Sequence, residues 1–197
     1  MSNNKEEKST ISFITGNKNK YQEVLKSFQK EKLNYNLNQL NIKTDEIQAN
    51  TLEEVALFKL NSVKNKVEGS FFIEDAGFFV DVPLNGFPGV YSSYVFKTIG
   101  NEGILKLVKS HESANAHFSA VIAYYHEPLD KVLIFEGSVK GRLSETIRGD
   151  NGFGFDPIFL PDDIENKTFA EISTAEKNSL SHRGRALSKL IEFLKKN

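Results

Sequence analysis

The chain has 197 residues, of which 39% are hydrophobic and 26% charged, a size and balance that fit one globular domain with a sizeable core. Its 25 basic side chains nearly cancel its 26 acidic ones, so no overall field draws nucleic acid or an anionic membrane, and any anion site must be a local concentration of charge. The absence of cysteine excludes disulfides, thiolate zinc sites and cysteine nucleophiles; it fits a reducing compartment, with the cytosol as the simplest expectation.

Met1 to Thr10 lacks the apolar centre of a secretory signal and is expected to be a frayed tail, leaving residues 11–197 as a single domain. No apolar run approaches the roughly 18 residues a membrane helix needs. Ile11 to Ile14 predicts a short strand that turns at Thr15-Gly16-Asn17 into a helix carrying Tyr21, Val24, Leu25 and Phe28 on one face. Tyr35 to Leu40 predicts a second strand, followed by a polar loop from Asn41 to Asn50. Thr51-Leu52-Glu53-Glu54 fits a capping box, and Leu52, Val55, Ala56, Leu60, Val63 and Val67 then recur at helical spacing.

Phe71-Phe72-Ile73 predicts a buried strand that delivers Glu74 and Asp75 at its C-terminal edge, with Phe78 to Val82 as another strand and a Pro- and Gly-punctuated loop from Pro83 to Gly89. Ile104, Leu105, Leu107 and Val108 suggest a helix behind Gly103. Ala116 to Tyr125 and Val132 to Lys140 predict a hairpin, and Leu187, Leu190, Ile191 and Leu194 mark a final helix whose first turn holds Ser181, His182 and Arg183. Helices alternating with strands early, and strands clustering in the middle, predict an α/β domain on a mixed sheet.

Several segments carry chemistry. Thr15-Gly16-Asn17-Lys18-Asn19-Lys20 brings free backbone N–H groups, a helix N-terminus and two ammonium groups together, which suits an anion; a capped surface helix with solvated lysines is the plain alternative. Glu46, Glu74 and Asp75 are oxygen donors suited to a hard cation such as magnesium, although acidic residues commonly just face solvent. Asp75 stands apart because an apolar strand carries it to a partly buried edge, where an unpaired charge is costly. Lys59 lies on the apolar side of its helix, where an ammonium needs an anionic partner or must snorkel to water.

Gly149 to Pro157, G-D-N-G-F-G-F-D-P, threads two aromatic rings between glycines and ends on a carboxylate before proline. Such a loop suits a flat ligand, and it reads equally as a turn whose phenylalanines are core. Lys177, His182 and Arg183 offer donors of different shapes around the last helix. His111, His117 and His126 show no metal-ligand spacing and are expected at the surface, and no G-x-S-x-G elbow supports a serine nucleophile.

Taken in register, T-G-N-K-N-K at 15–20, E-D-A-G at 74–77, G-F-P-G-V-Y at 86–91, F-G-F-D-P at 153–157 and A-E-K-N-S-L-S-H-R at 175–183 resemble the inosine triphosphate pyrophosphatase family. The resemblance runs from about Ser12 to the last helix. It implies an elongated, twisted mixed sheet flanked by helices, in two lobes around a central cleft, usually as a homodimer. It also implies hydrolysis of non-standard purine nucleoside triphosphates (ITP, dITP, XTP) to the monophosphate and pyrophosphate, which cleanses the nucleotide pool, with Mg2+ or its substitute Mn2+ as cofactor.

Carried over by motif, Thr15, Gly16, Asn17, Lys18, Asn19 and Lys20 resemble the phosphate-binding turn. Asp75 matches the catalytic carboxylate and, with Glu46, the metal ligands. Lys59 is similar to a substrate-contacting lysine. Phe153, Gly154, Phe155 and Asp156, with Lys177, His182 and Arg183, match the base pocket. Two positions depart from the pattern: Ala76 where many members have a hydroxyl, and Ser93 where relatives often place a basic residue. These departures keep a second reading in view, a nucleotide-binding module without catalysis. Single-stranded nucleic-acid binding through the aromatics and lysines ranks last for want of a basic surplus.

Overall fold

A computed structural model describes residues 9–196. Strand β1 (Ser9–Ile14) leads into helix α1 (Lys18–Lys30), which starts where it does because Asn17, in extended conformation, accepts hydrogen bonds from the backbone of Asn19 and Lys20. Ser9 and Thr10 therefore belong to the sheet, opposite Tyr35 and Asn36, and not to a tail; the rest of the expected tail, residues 1–8, lies outside the described residues. Strand β2 (Tyr35–Leu40) lies parallel to β1. Helix α2 (Leu52–Val63) opens on the anticipated capping box, in which Thr51 and Glu54 bond each other's backbone, and ends earlier than expected: Lys64–Lys66 form a 3-10 turn and Val67 lies beyond it.

The largest departure from expectation lies in the next strand. β3 runs unbroken from Phe71 to Val80 through Glu74, Asp75, Ala76 and Gly77, where the sequence suggested two strands. The cause is β5 (Asn115–His126), which pairs antiparallel with all ten of these residues, from Phe71 opposite Tyr125 to Val80 opposite Ala116, and satisfies their backbone groups whatever their side chains. On its other edge β3 is covered, among the described residues, only at its ends, by β1 at Phe71 and Phe72 and by the short β4 (Phe87–Gly89) at Phe78 to Val80. Ile73 to Gly77 thus face a gap between β1 and β4, the kind of crevice at which open α/β sheets bind ligands.

Helices α3 (Ser92–Thr98), which the sequence did not announce, and α4 (Gly100–Val108), which begins before Gly103, follow. β5 and β6 (Lys131–Leu143) form the expected hairpin, and β7 (Phe159–Pro161) adds a short edge strand. α5 (Thr174–Leu180) and α6 (His182–Leu194) close the chain. The seven-stranded mixed sheet has the order β2-β1-β3-β5-β6-β7, with β4 beside β3.

Alternation along β3 divides the core. Phe72 joins Val24 and Phe28 of α1 and Leu187, Leu190 and Ile191 of α6 on one face, whereas Phe71 and Ile73 pack with Leu52, Ala56, Leu60 and Val63 of α2 on the other. A third cluster, around Phe78, Phe118, Phe155, Phe159 and Phe169, fills the far end with α3 and α4. α6 comes close to β6 because residue 137 is glycine: a Cβ there would stand 2.3 Å from the carbonyl oxygen of His182 and 2.5 Å from the nitrogen of Ala186. Among the described residues no helix is long and apolar enough to cross a membrane.

Candidate active site

Because successive strand residues point to opposite faces, Glu74 and Asp75 serve different neighbours. Asp75 turns towards α2, where Lys59 places its Nζ 3.2 Å from Asp75 Oδ1 and 3.1 Å from Glu46 Oε1. The lysine on an apolar helix face is thereby explained: two carboxylates from outside its helix hold it. Burial alone would pull its ammonium down, but Asp75 and Glu46 outweigh this and keep it above its ordinary value. Burial likewise lifts the carboxyl of Asp75, and Lys20 and Lys59 only partly offset the effect.

Glu74 turns the other way and is buried. Its Oε2 lies 2.6 Å from Lys20 Nζ, one turn into α1, and its Oε1 accepts from Arg183 Nε at 3.1 Å. Burial raises this carboxyl, yet Arg183 and Lys20 together hold it below its ordinary value. Arg183 continues to Glu23 of α1, with Nη1 2.5 Å from Oε2, and Glu23 Oε1 lies 3.2 Å from Lys177 Nζ. Lys177 then donates to Asp156 Oδ2 at 2.7 Å. Asp156, Lys177, Glu23, Arg183, Glu74 and Lys20 therefore form one chain of alternating charge from the aromatic loop to the turn after β1.

Glu23 is the member that sequence reasoning missed. It sits three residues after Lys20 and beside the buried Val24, so the one available signal was a carboxylate sharing the inward side of α1 with a lysine of the phosphate-type turn.

The loop from Gly149 to Asp156 needs its glycines. Gly149, Gly152 and Gly154 all have positive φ, and a Cβ on Gly152 would lie 2.2 Å from Asp156 Oδ2. That approach lets Asp156 Oδ2 accept the backbone N–H of Phe153 at 2.7 Å, and burial raises the Asp156 carboxyl despite Lys177. The two rings have separate tasks. Phe155 is buried, stacked on Phe78 at 5.0 Å between ring centroids with the edge of Phe96 against it, and so supports the loop from behind. Phe153 is only partly buried and lines the cleft, with Lys177 Nζ 4.7 Å and Arg183 Cζ 5.4 Å from its ring centre.

His182 opens α6 behind the cap Ser181, which accepts the N–H of Gly184 at 3.2 Å. Its imidazole stacks on Phe118 with centroids 4.7 Å apart, and its Nδ1 is buried without a hydrogen-bond partner among the described residues. Burial first, and the nearby charges of Arg183, Lys177 and Lys20 second, push its pKa well below the ordinary histidine value. A neutral ring offers one donor and one acceptor.

These groups surround one cleft of about 890 Å3, within the range of small-molecule sites. Every predicted site residue lines it except Lys18, whose side chain is exposed on the first turn of α1. Ala76 and Ser93 line it too, without a hydroxyl at the first and without a charge at the second. The surface expectation for histidines holds for His111 and fails for His126, which is buried with its ring edge-on to Phe193 of α6. His117 is intermediate, its Nδ1 2.9 Å from Asp81 Oδ2 and its ring stacked on Phe79.

Among the described residues no three His, Asp or Glu side chains gather as metal ligands. Glu46 and Asp75 nonetheless converge on the single point occupied by the Lys59 ammonium. Two hard carboxylates at a place that already holds a cation fit magnesium, which takes the rest of its shell from water and phosphate oxygens.

Comparison with known proteins agrees with this geometry. The profile of the Ham1 family matches residues 11–193. The chain is 48% identical over 187 residues to a dITP/XTP pyrophosphatase of Thermococcus kodakarensis, covering 95% of this chain and 98% of the relative. It is also 48% identical over 190 residues to the dITP/XTP pyrophosphatase of Pyrococcus horikoshii, covering 95% and 97%. Among solved structures, the Ham1 protein of Coxiella burnetii superposes with a TM-score of 0.84 at 28% identity, covering 96% of this chain and all of that one. The Staphylococcus aureus Ham1 protein gives 0.81 at 28% identity, covering 95% and 99%. With its motifs, its open-edged β3 and these relatives in agreement, the chain belongs to the Ham1 family.

Proposed function

We propose that this protein hydrolyses non-standard purine nucleoside triphosphates, dITP, ITP and XTP, to the nucleoside monophosphate and pyrophosphate. One observation carries the reading: a single cleft joins a ring free to stack, Phe153, to a carboxylate at the open edge of the sheet, Asp75, through the charge chain from Asp156 to Lys20. Water attacks the α-phosphorus, the bond from that phosphorus to the oxygen bridging to the β-phosphate breaks, and pyrophosphate leaves.

Asp75, its carboxyl lifted by burial, orients the water and accepts its proton. Lys20 and Lys59 and the backbone N–H groups around Asn17 hold the phosphate chain in line. Glu46 and Asp75 would hold a magnesium ion, which when bound supplies positive charge to the phosphate oxygens. Phe153 stacks on the base. The 6-oxo group of hypoxanthine or xanthine accepts a hydrogen bond where adenine presents an amino donor, and the neutral His182 and Arg183, both lining the cleft, would donate to it. Adenine would leave such donors unpaired, at roughly 1 to 3 kcal/mol each.

The same reading includes a homodimer, supported by the apolar side chains of Phe87, Tyr91, Phe96 and Ile99, all exposed around β4 and α3. The test is a turnover panel with magnesium that follows pyrophosphate. dITP, ITP and XTP should run far ahead of ATP, chelation of the metal should stop the reaction, and Asp75→Asn should abolish it while the protein stays folded. Equal rates on all four nucleotides, or release of orthophosphate in place of pyrophosphate, would sink the reading.

A further inference from the structure

Besides the neutral His182, the basic side chains lining the cleft are those of Lys20, Lys59, Lys97, Lys177 and Arg183. Four of them are already engaged: Lys20 by Glu74, Lys59 by Glu46 and Asp75, Lys177 by Asp156 and Glu23, and Arg183 by Glu23 and Glu74. Against those four cations stand five carboxylates, so the network as built holds no surplus positive charge for a polyphosphate. Lys97 differs. It is exposed on the cleft wall and has no ion-pair or hydrogen-bond partner among the described residues.

The helix that carries it is firmly placed. Ser92 Oγ accepts the N–H of Phe78 at 2.7 Å and donates to the carbonyl of Gly89 at 2.6 Å, Val95 is buried, and Phe96 sets its ring against Phe155 of the aromatic loop. Ser93, one turn before Lys97 and therefore on the same side of α3, also lines the cleft. Held in this way through Ser92 and Val95, its two buried residues, α3 keeps an uncommitted ammonium at the cleft.

We propose that Lys97 is a substrate-positioning residue that supplies an unpaired side-chain positive charge, beside that of the metal, for the polyphosphate chain of the incoming nucleotide. It rests on the pyrophosphatase reading above. The paired cations can turn to phosphate only by loosening a carboxylate, whereas Lys97 gives up nothing but water. The substrate and the pyrophosphate product carry the charge it answers, and the nucleoside monophosphate carries far less of it.

The experiment compares wild type, Lys97→Gln and Lys97→Arg on dITP and ITP with magnesium. Lys97→Gln should raise KM about five- to tenfold with little change in kcat, since one charge-assisted contact is lost from the bound substrate. It should also weaken inhibition by pyrophosphate but not by IMP, and flatten the salt dependence of kcat/KM. Lys97→Arg should restore all three, and thermal unfolding should not move because the side chain is exposed. An active wild type with unchanged KM and pyrophosphate inhibition in Lys97→Gln overturns the assignment alone. Equal loss for IMP and pyrophosphate does the same. A wild type that releases no pyrophosphate from either nucleotide overturns the parent reading and this one with it.

Discussion

Glu23→Gln tests whether the charge chain beneath the cleft organises the site. Glu23 is buried between two cations, 2.5 Å from Arg183 Nη1 and 3.2 Å from Lys177 Nζ. Removing the partner of a buried charge altogether typically costs about 3–5 kcal/mol. Here neither cation is stranded, because Arg183 keeps Glu74 at 3.1 Å and Lys177 keeps Asp156 at 2.7 Å, and glutamine retains one acceptor oxygen. The loss should therefore fall below that range, at about 2 kcal/mol, which for a chain of this length lowers Tm by roughly 4–8 °C. Differential scanning calorimetry at neutral pH reads it directly. Glu31→Gln is the control: Glu31 meets Lys195 at 2.7 Å on the open surface, and its loss should leave Tm in place. Assayed well below Tm, Glu23→Gln should also lose kcat/KM on dITP, because Lys177 and Arg183 flank the Phe153 ring proposed to stack on the base. A Tm within 1 °C of wild type would mean that the buried chain is not under electrostatic tension, and the reasoning would fail.

His182 carries a pH signature. Its folded pKa is depressed by burial and by Arg183, Lys177 and Lys20, whereas the unfolded chain titrates near the ordinary value. Below that value the unfolded state binds a proton that the folded state refuses, so the contribution is complete at neutral pH and is lost on acidification, with a slope approaching about 1.4 kcal/mol per pH unit. Thermal unfolding of His182→Asn should therefore fall less steeply than wild type between pH 6.5 and 5, and parallel curves would contradict a neutral buried ring. Gly137→Ala should destabilise by more than about 2 kcal/mol, since its Cβ would meet main-chain atoms of α6 at 2.3 and 2.5 Å and the helix must back away from β6. Urea unfolding measures this, and a wild-type midpoint would show that α6 can shift freely.

Much of the site was legible because its parts are local. A strand that breaks at Thr15-Gly16-Asn17 into a helix places backbone N–H groups at one end whatever the rest of the chain does, and Asn17 does cap that helix. The capping box at Thr51 and the apolar stripe of α6 are likewise settled by neighbours within one or two turns. Asp75 could be singled out because the apolar run before it made a partly buried carboxylate expected.

What the sequence by itself determined, then, was the mixed α/β class, most element positions and most of the residues that line the one cleft. What only the tertiary structure decided depends on partners far away in the chain. β5 supplies the hydrogen bonds that carry β3 through Glu74 to Gly77 as one strand, and the pleat then sends adjacent carboxylates to opposite faces. Phe153 and Phe155 are equivalent as letters; Phe78 and Phe96 take the second ring into the core and leave the first to the cleft. Glu23 gains its importance from cations about 154 to 160 positions later, and Lys97 gains its freedom from lacking any such partner among the described residues. Pairing of charge is a property of distance in space, which spacing along the chain does not encode.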